Sequence, residues 1–391
     1  MKLFSYKREN GKIRLCFFGI KASLKTKPPQ FIKNYFKTNY EKKALLVYVL
    51  DYFLGNKHIC HSNATESYIA GETLSKLGYN VDILHWQEAY KTEFYSKYDV
   101  VYGKNLRNAI FSKAKVIPYS GGAALKNANK QSVERAYEFY KKAQVPALSS
   151  LCNTLSISRM FTYANIILGN NVTKDSFIID GLEKEQNLYN IEAFYFDTYN
   201  IDLSRKDFKE ARKHFLWWGS RGSIHKGLDL VIDVFKERKD LTLHICGFNQ
   251  SETEFLEFYK EELTNKIPNI INHGFVNMES DLFKEIMNKC AALIFPSISE
   301  GGSPASLNVM ANGGLIPIVS KNSGIDIEQY GFMLERLNIK TINLMIDKLL
   351  ALNEDEIINL STRVKNETRE RYTIENYRNN LLKILKEILN D

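Results

Sequence analysis

Short aliphatic runs recur along the chain, and between them apolar residues return every three or four positions. The first pattern is that of a strand buried on both faces, the second that of an amphipathic helix. Residues 44–53, 80–84, 99–102, 115–119, 165–168 and 191–196 read as strands, with a helix at 65–77 after the first. A polar, charged segment at 197–213 interrupts the series. A second series follows: strand 215–218, helix from Lys226, strand 241–246, a strand near Ile270, helix from Asp281, strand 292–295, a helix opening at Ser303-Pro304, and strand 316–319. The last helix places Ile374, Tyr377, Leu381, Ile384, Leu385 and Ile388 on one face, so it is expected to dock.

Alternation of strands and helices predicts α/β architecture with parallel sheets. At 391 residues the chain exceeds a typical single core, which predicts two domains. The reading is two Rossmann-like doubly wound domains facing a cleft, with a basic N-terminal arm. The division is 1–43 for the arm, 44–200 and 201–372 for the domains, and 373–391 for the terminal helix. Ligands of such sheets bind beyond the carboxyl ends of the strands.

Charge changes this picture at one end only. Of the net +8, residues 1–43 hold twelve Lys or Arg against Glu9 and Glu41, a net of +10 that leaves the rest near −2. The body therefore has no bulk charge for nucleic acid, and no nucleic-acid partner is expected. Residues 12–27 mix Phe17, Phe18, Ile20 and Leu24 with cations around Gly19, which suggests a short hairpin. Such a segment suits an anionic membrane surface; a solvated extension packing on the body is the equal alternative. Cys16, Cys60, Cys152, Cys246 and Cys290 are scattered and form no Cys-x-x-Cys pair, so neither disulfides nor structural zinc are expected. No run approaches the ~18 apolar residues of a membrane span, and the first residues lack a signal-peptide core. A cytoplasmic protein is expected, with the arm placing it on the inner membrane face if the first alternative holds.

The chemistry concentrates in residues 295–320. A buried strand runs into Glu300, then Gly301 and Gly302, then Ser303 as an N-cap with Pro304 in the first helical position. The free N–H groups and dipole of such a helix start attract phosphate, and glycines allow close approach of a ligand. Glu300 can accept from hydroxyls, and Asn308 lies about a turn into the helix. In the loop after strand 215–218, Arg221 and Lys226 stand beside glycines, a pairing that suits a diphosphate. Of the seven histidines, His58 and His61 lack a third ligand, and His225 adjoins Lys226 either as a phosphate contact or as a solvent-facing loop residue. Trp217 and Trp218 share a strand, one expected to face the core and the other to border the cleft.

Arg221-x4-Lys226-Gly-Leu-Asp, the stretch ending at Gly247, His273-Gly-Phe-Val and Phe-Pro-Ser-x-x-Glu300-Gly resemble the C-terminal domain of GT-B glycosyltransferases of the retaining family-four type. The resemblance is specific over residues 213–320 and architectural over 44–200. It implies a metal-independent enzyme that moves a sugar from a nucleotide-sugar donor to a glycan or lipid-linked acceptor, as in bacterial surface polysaccharide or lipopolysaccharide synthesis. Arg221 and Lys226 would hold the donor diphosphate, Glu300 the sugar hydroxyls as the catalytic residue, and Phe275 and Val276 would flank the base. Gly301, Gly302 and Ser303 would present amides to sugar and phosphate, and Asn308 would face the ribose. No cofactor is implied, since the nucleotide sugar is a substrate. No Asp-x-Asp motif occurs; Asp326-Ile-Glu328 comes nearest and reads as a solvated turn.

Three positions depart from the family pattern. Asn308 stands where a second glutamate is usual, Gly121 where the N-terminal domain often carries a histidine, and Asn63-Ala64 where a glycine pair is expected. The departures at Asn308 and Gly121 motivate an alternative reading, a catalytically silent GT-B binding or scaffold protein.

Overall fold

A computed structural model describes residues 4–9, 12–17, 20–25, 30–56, 61–89, 92–106, 108–109, 112–145, 163–179 and 187–390, the first three segments by backbone alone. The chain forms two compact units: residues 1–118 with 161–163 and 385–391, and residues 119–160 with 164–384.

In the first unit, β1 (Phe4–Glu9), β2 (Lys12–Phe17) and β3 (Ile20–Lys25) pair antiparallel in that order. β2 and β3 pair as the two arms of a hairpin, with Phe17 opposite Ile20, while Gly19, around which the hairpin is suggested, lies outside the described residues. The side chains of residues 1–29 lie outside the described residues, and with them the expected membrane contact of the arm. A short β4 (Phe31–Ile32) then edges a parallel sheet of β5 (Lys42–Tyr48), β6 (Tyr79–His85), β7 (Val100–Gly103) and β8 (Lys115–Ser120), ordered β8-β7-β5-β6-β4. Ala44 through Tyr48 are all buried, as a strand covered on both faces requires. The strand stops at Tyr48 rather than running to residue 53, because residues 52–54 form a 3-10 turn closed by Gly55 at φ 89°. Helix α1 (Ser62–Lys76) leads from β5 to β6, with His61 Nδ1 accepting from Asn63 N at its start. His61 is thus a cap, and its suggested partner His58 lies outside the described residues.

The second unit begins within β8, whose Tyr119 and Ser120 pair with β9 (Asn165–Leu168); β9 pairs in turn with β10 (Leu188–Ile191), all parallel. Helix α2 (Leu125–Ala143) follows β8, and α3 (Asn171–Ile179) follows β9. The strand expected at 191–196 is confined to its first residue. Beyond it, Tyr195 N donates to Tyr372 O at 3.0 Å and Phe196 N to Asn308 Oδ1 at 2.7 Å, so a helix end and a side chain replace a strand partner. The boundary expected near residue 200 falls inside this unit, where residues 193–199 are tied to the later half.

After α4 (Phe208–Ala211) comes a six-stranded parallel sheet of β11 (His214–Trp218), β12 (Thr242–Cys246), β13 (Ile270–Gly274), β14 (Ala292–Phe295), β15 (Ile316–Ser320) and β16 (Phe332–Leu334). The order is β13-β12-β11-β14-β15-β16, the doubly wound 3-2-1-4-5-6 arrangement. Connecting helices are α5 (Leu228–Glu237), α6 (Thr253–Phe258), α7 (Lys260–Leu263), α8 (Asp281–Lys289), α9 (Pro304–Gly313) and α10 (Ile339–Ala351), and α11 (Glu354–Arg371) and α12 (Ile374–Asn390) close the chain. α12 buries Tyr377, Leu381, Leu385 and Ile388 and half-buries Ile374 and Ile384, as its apolar stripe predicts. No helix among the described residues is long and apolar enough to cross a membrane. Strand order reverses between β11 and β14, which pair through Phe215 with Ala292 and Leu216 with Leu293. The loops that leave these two strands therefore emerge side by side.

Candidate functional site

Those two loops carry the residues singled out by the sequence. The first, after β11, turns through Gly222 at φ 95° and Gly227 at φ 67° before α5 begins. A Cβ on Gly227 would lie 2.5 Å from Pro296 Cγ and 2.6 Å from Pro296 O, so only glycine lets this loop close onto the one after β14. The amides of Gly222 and Ser223 donate to Glu252 Oε1 and Oε2 at 2.7 and 2.9 Å, which holds the loop open as a bidentate clamp. Arg221 is exposed at its tip and makes no hydrogen bond or ion pair among the described residues. Trp217 Nε1 donates to Lys226 O at 3.2 Å, fixing the backbone at the far end. Neither tryptophan borders open space: Trp217 is fully buried, and Trp218 is buried edge-on to Phe283 at 5.2 Å.

Lys226 Nζ contacts Glu300 Oε1 directly and lies 5.4 Å from the centre of the Phe295 ring. Ser297 Oγ donates to the same carboxylate oxygen at 2.9 Å. Burial pushes the Glu300 carboxyl up, but Lys226 first, then His225 and the hydrogen bonds from Lys226 and Ser297, outweigh it and leave it below its ordinary value. Glu300 is therefore a carboxylate at neutral pH. It answers to a cation on the neighbouring loop, and its own backbone is fixed by Glu300 N donating to Asn322 O at 2.9 Å.

His225 is buried, and the structure gives it neither of the expected positions, phosphate contact or solvent. Its Nε2 lies 2.7 Å from Ser299 O and must donate, since a carbonyl only accepts; Nδ1 then accepts from Ser132 Oγ at 3.4 Å. Burial lowers its pKa, Glu300 opposes this and Lys226 adds to it, with a net lowering, so the imidazole is neutral. It bridges the two loops immediately beside Lys226 and Glu300.

The helix start at α9 differs from the expectation in one respect. Pro304 does open the helix, but Ser303 sits at φ 39° and donates to Ser323 O at 2.6 Å instead of accepting from a helix amide. The left-handed backbone turns the hydroxyl away from the helix end, so the first-turn amides receive no side-chain cap there. Gly301 is packed against backbone and Gly302 against a side chain: a Cβ on Gly301 would lie 2.1 Å from Gly121 O, and one on Gly302 2.8 Å from Ala193 Cβ. Gly121, noted in the sequence for its missing histidine, is thus where a backbone carbonyl meets Gly301.

Asn308 is 4% exposed and its amide oxygen accepts from Phe196 N, so the oxygen expected to face a ribose is already engaged in holding the 193–199 segment. Asn312, one turn on, completes the clamp: its Oδ1 accepts from Thr198 N and Tyr199 N at 3.0 and 2.8 Å, and its Nδ2 donates to Phe196 O and Asn308 O. A carboxylate at 308 could accept that amide as well; an amide does so without bringing a buried charge. Phe275 is 75% exposed just after Gly274 (φ 65°), a free aromatic face at the end of β13, whereas Val276 is buried. Asp326 keeps a side chain 38% exposed, as expected of a solvated turn, and is also paired: Asn170 Nδ2 donates to it at 2.8 Å and Arg371 Nη2 lies 2.6 Å away. Among the described residues no group of three or more His, Cys, Asp or Glu is placed to hold a metal ion.

Glu252 and Asn312 were not singled out by the sequence. An asparagine pair four apart inside an otherwise apolar helix was the available signal for Asn312. Glu252 lies 30 residues from the amides it clamps and leaves no local trace.

The sequence pattern that describes glycosyl transferases group 1 matches residues 201–371. No curated protein matches the chain by sequence. Among solved structures, HepE of Anabaena in complex with UDP and glucose superposes with a TM-score of 0.58 at 12% identity, covering 89% of this chain and 100% of that one. Sucrose-phosphate synthase from Thermosynechococcus elongatus gives 0.62 at 12% identity, covering 90% and 100%. The apo form of the lipopolysaccharide outer core galactosyltransferase WaaB gives 0.54 at 12% identity, covering 88% and 99%.

Proposed function

Residues 201–371 belong to the glycosyl transferases group 1 family and the chain has the GT-B fold, and from this premise we propose that the protein is a retaining glycosyltransferase using a nucleotide-sugar donor. The observation that carries the reading is the Lys226–Glu300 pair at the strand-order reversal, with the exposed cation of Arg221 on the same loop. A diphosphate takes Arg221 and Lys226 as its counter-charges, and their positive field stabilises the nucleoside diphosphate as it leaves. Glu300, released from Lys226 by the phosphates, faces the donor sugar as the catalytic carboxylate. Phe275 offers a stacking face for the base, and its neighbour Val276 supports that turn. Residues 44–200 serve the acceptor and 201–372 the donor.

HepE binds UDP and glucose, and WaaB is a lipopolysaccharide galactosyltransferase. Both support a nucleotide-sugar donor and a glycan or lipid-linked acceptor in surface polysaccharide or lipopolysaccharide synthesis; a cytoplasmic setting with residues 1–43 on an anionic membrane face rests instead on the basic charge of that segment. No metal is required in this reading, because Arg221 and Lys226 supply the positive charge; activity that chelator abolishes and manganese restores contradicts it. The second reading, a silent binding module, is favoured by Asn308, whose amide oxygen accepts from Phe196 N where a second carboxylate is usual.

Proton NMR of sugar released or transferred from an α-linked donor separates the outcomes. An α-configured first product supports retention. A β-configured one contradicts it, and no turnover of any donor together with no nucleotide binding favours the silent module.

A further inference from the structure

Helix α2 reaches both loops of the site through three positions close together on its surface. Gln131 Oε1 accepts from Asn322 Nδ2 at 3.2 Å, and Asn322 O accepts from Glu300 N. Ser132 Oγ lies 3.4 Å from His225 Nδ1, and His225 also donates to Ser299 O. Arg135 Nη2 lies 2.6 Å from Asp229 Oδ2, in the first turn of α5 and three residues beyond Lys226, with side chains 9% and 2% exposed. Further along, Lys142 Nζ reaches Asp233 Oδ2 at 2.6 Å. The same helix begins just after Gly121, whose carbonyl sits against Gly301.

We infer that Arg135 is a positioning residue for the donor site: its buried pair with Asp229 sets the register of α2 against α5 and so fixes where the Lys226 loop stands. This rests on the donor-site reading given above for its functional consequence, though not for its structural one. Two physical facts support it. Apolar side chains hold two helices together equally well, but a buried ion pair fits at one register and one rotation only, which is the best-attested use of such pairs. Asp229 would also place a negative charge beside an incoming diphosphate, and Arg135 neutralises it, leaving Arg221 and Lys226 to dominate the field there. His225 and Asn322 are the relays that carry the same constraint to Glu300.

The test uses the full chain with Arg135→Met/Asp229→Leu, which removes both charges and leaves neither buried alone, and Arg135→Lys, which keeps the charge but loses the fork. Amide hydrogen exchange over residues 222–229 without nucleotide is read first. Calorimetric affinity for whichever of UDP, GDP and ADP binds the wild type is read second, and hydrolysis of the matching nucleotide sugar third. The double variant is expected to exchange these amides at least tenfold faster, to bind the nucleotide diphosphate about tenfold more weakly and to lose about 30-fold in kcat/KM for the donor. Arg135→Lys is expected to recover part of each and, as the milder change, reports also where the double variant does not fold. Wild-type exchange and affinity in a folded variant overturn the inference. Faster exchange in a protein whose wild type binds none of the three nucleotides leaves the positioning intact and removes the donor-site reading instead.

Discussion

Glu300→Gln is expected to lower turnover by about 10²–10³-fold while leaving affinity for the nucleoside diphosphate within about threefold, the scale of removing one preorganised group from a developing charge. The carboxylate is fixed at the end of β14 by Lys226, by Ser297 Oγ and through its own backbone by Asn322 O. Glutamine keeps the shape and one acceptor oxygen but not the charge. As the sugar–phosphate bond breaks, positive charge spreads over the sugar ring and its oxygen. A fixed carboxylate stabilises that state more than the ground state, so the loss falls on kcat. The nucleoside diphosphate lacks the donor sugar, and in the proposed reading its grip depends on Arg221 and Lys226. Initial-rate kinetics beside nucleotide calorimetry check this; transfer at the wild-type rate in Glu300→Gln removes Glu300 from the chemistry.

The second large effect is on stability in acid. His214, His244 and His273 come from three adjacent strands and form a chain, with Nδ1 of His214 3.0 Å from Nε2 of His244 and Nδ1 of His244 2.9 Å from Nε2 of His273. The rings of His244 and His273 stack at 5.2 Å with a 6° tilt. Burial first, then His273, His214 and Lys289, push the His244 imidazole down to about 3. Burial and Lys289 lower His273 too.

Between pH 6.5, the ordinary value, and about 3 the unfolded chain takes a proton at His244 that the folded chain refuses. The contribution of His244 to stability is therefore level above 6.5 and falls as pH drops through that window, by up to about 1.4 kcal/mol per pH unit. At about pH 4.5 the loss from this group reaches roughly 3 kcal/mol, a large part of a typical folding free energy. Urea midpoints from about pH 7 to 4.5 for the wild type and His244→Met check it. The variant is expected to be less stable at neutral pH but flatter in acid. Parallel curves would show that the histidine chain is not the acid-sensitive element.

Much of this was legible in the sequence because the strands of a parallel sheet are continuous apolar runs. β9 and β14 fall on the residues expected, since polar or glycine-bearing loops bound them sharply. The segment at 191–196 misled for the same reason. Phe194, Tyr195 and Phe196 are buried as a strand would be, but their neighbours are α9 and the end of α11, and burial alone does not distinguish a strand from a coil threaded through a core. Glu300, Arg221 and Lys226 stood out because charges flanked by glycines at strand ends are locally visible.

What stayed hidden depends on pairs far apart in the chain. Nothing in the sequence around Arg135 or Asp229 marks a pair, and only the packing of α2 on α5 makes them a buried one. Ser303 carries the right residue type for a cap, yet its left-handed backbone, which the sequence does not announce, spends the hydroxyl on Ser323 O. Asn308 was visible as a departure, but its use was not: the amide that binds Phe196 N lies 112 residues away.

The central claim is that the loops after β11 and β14 bind a nucleoside diphosphate through Lys226. Isothermal titration of UDP, GDP and ADP into the wild type and into Lys226→Ala tests it most directly. At least one of the three is expected to bind the wild type, and the substitution to weaken it by about 10–100-fold, the scale of a lost charge-assisted hydrogen bond. Binding of none of the three to the wild type, or equal affinity in the two proteins, would contradict it.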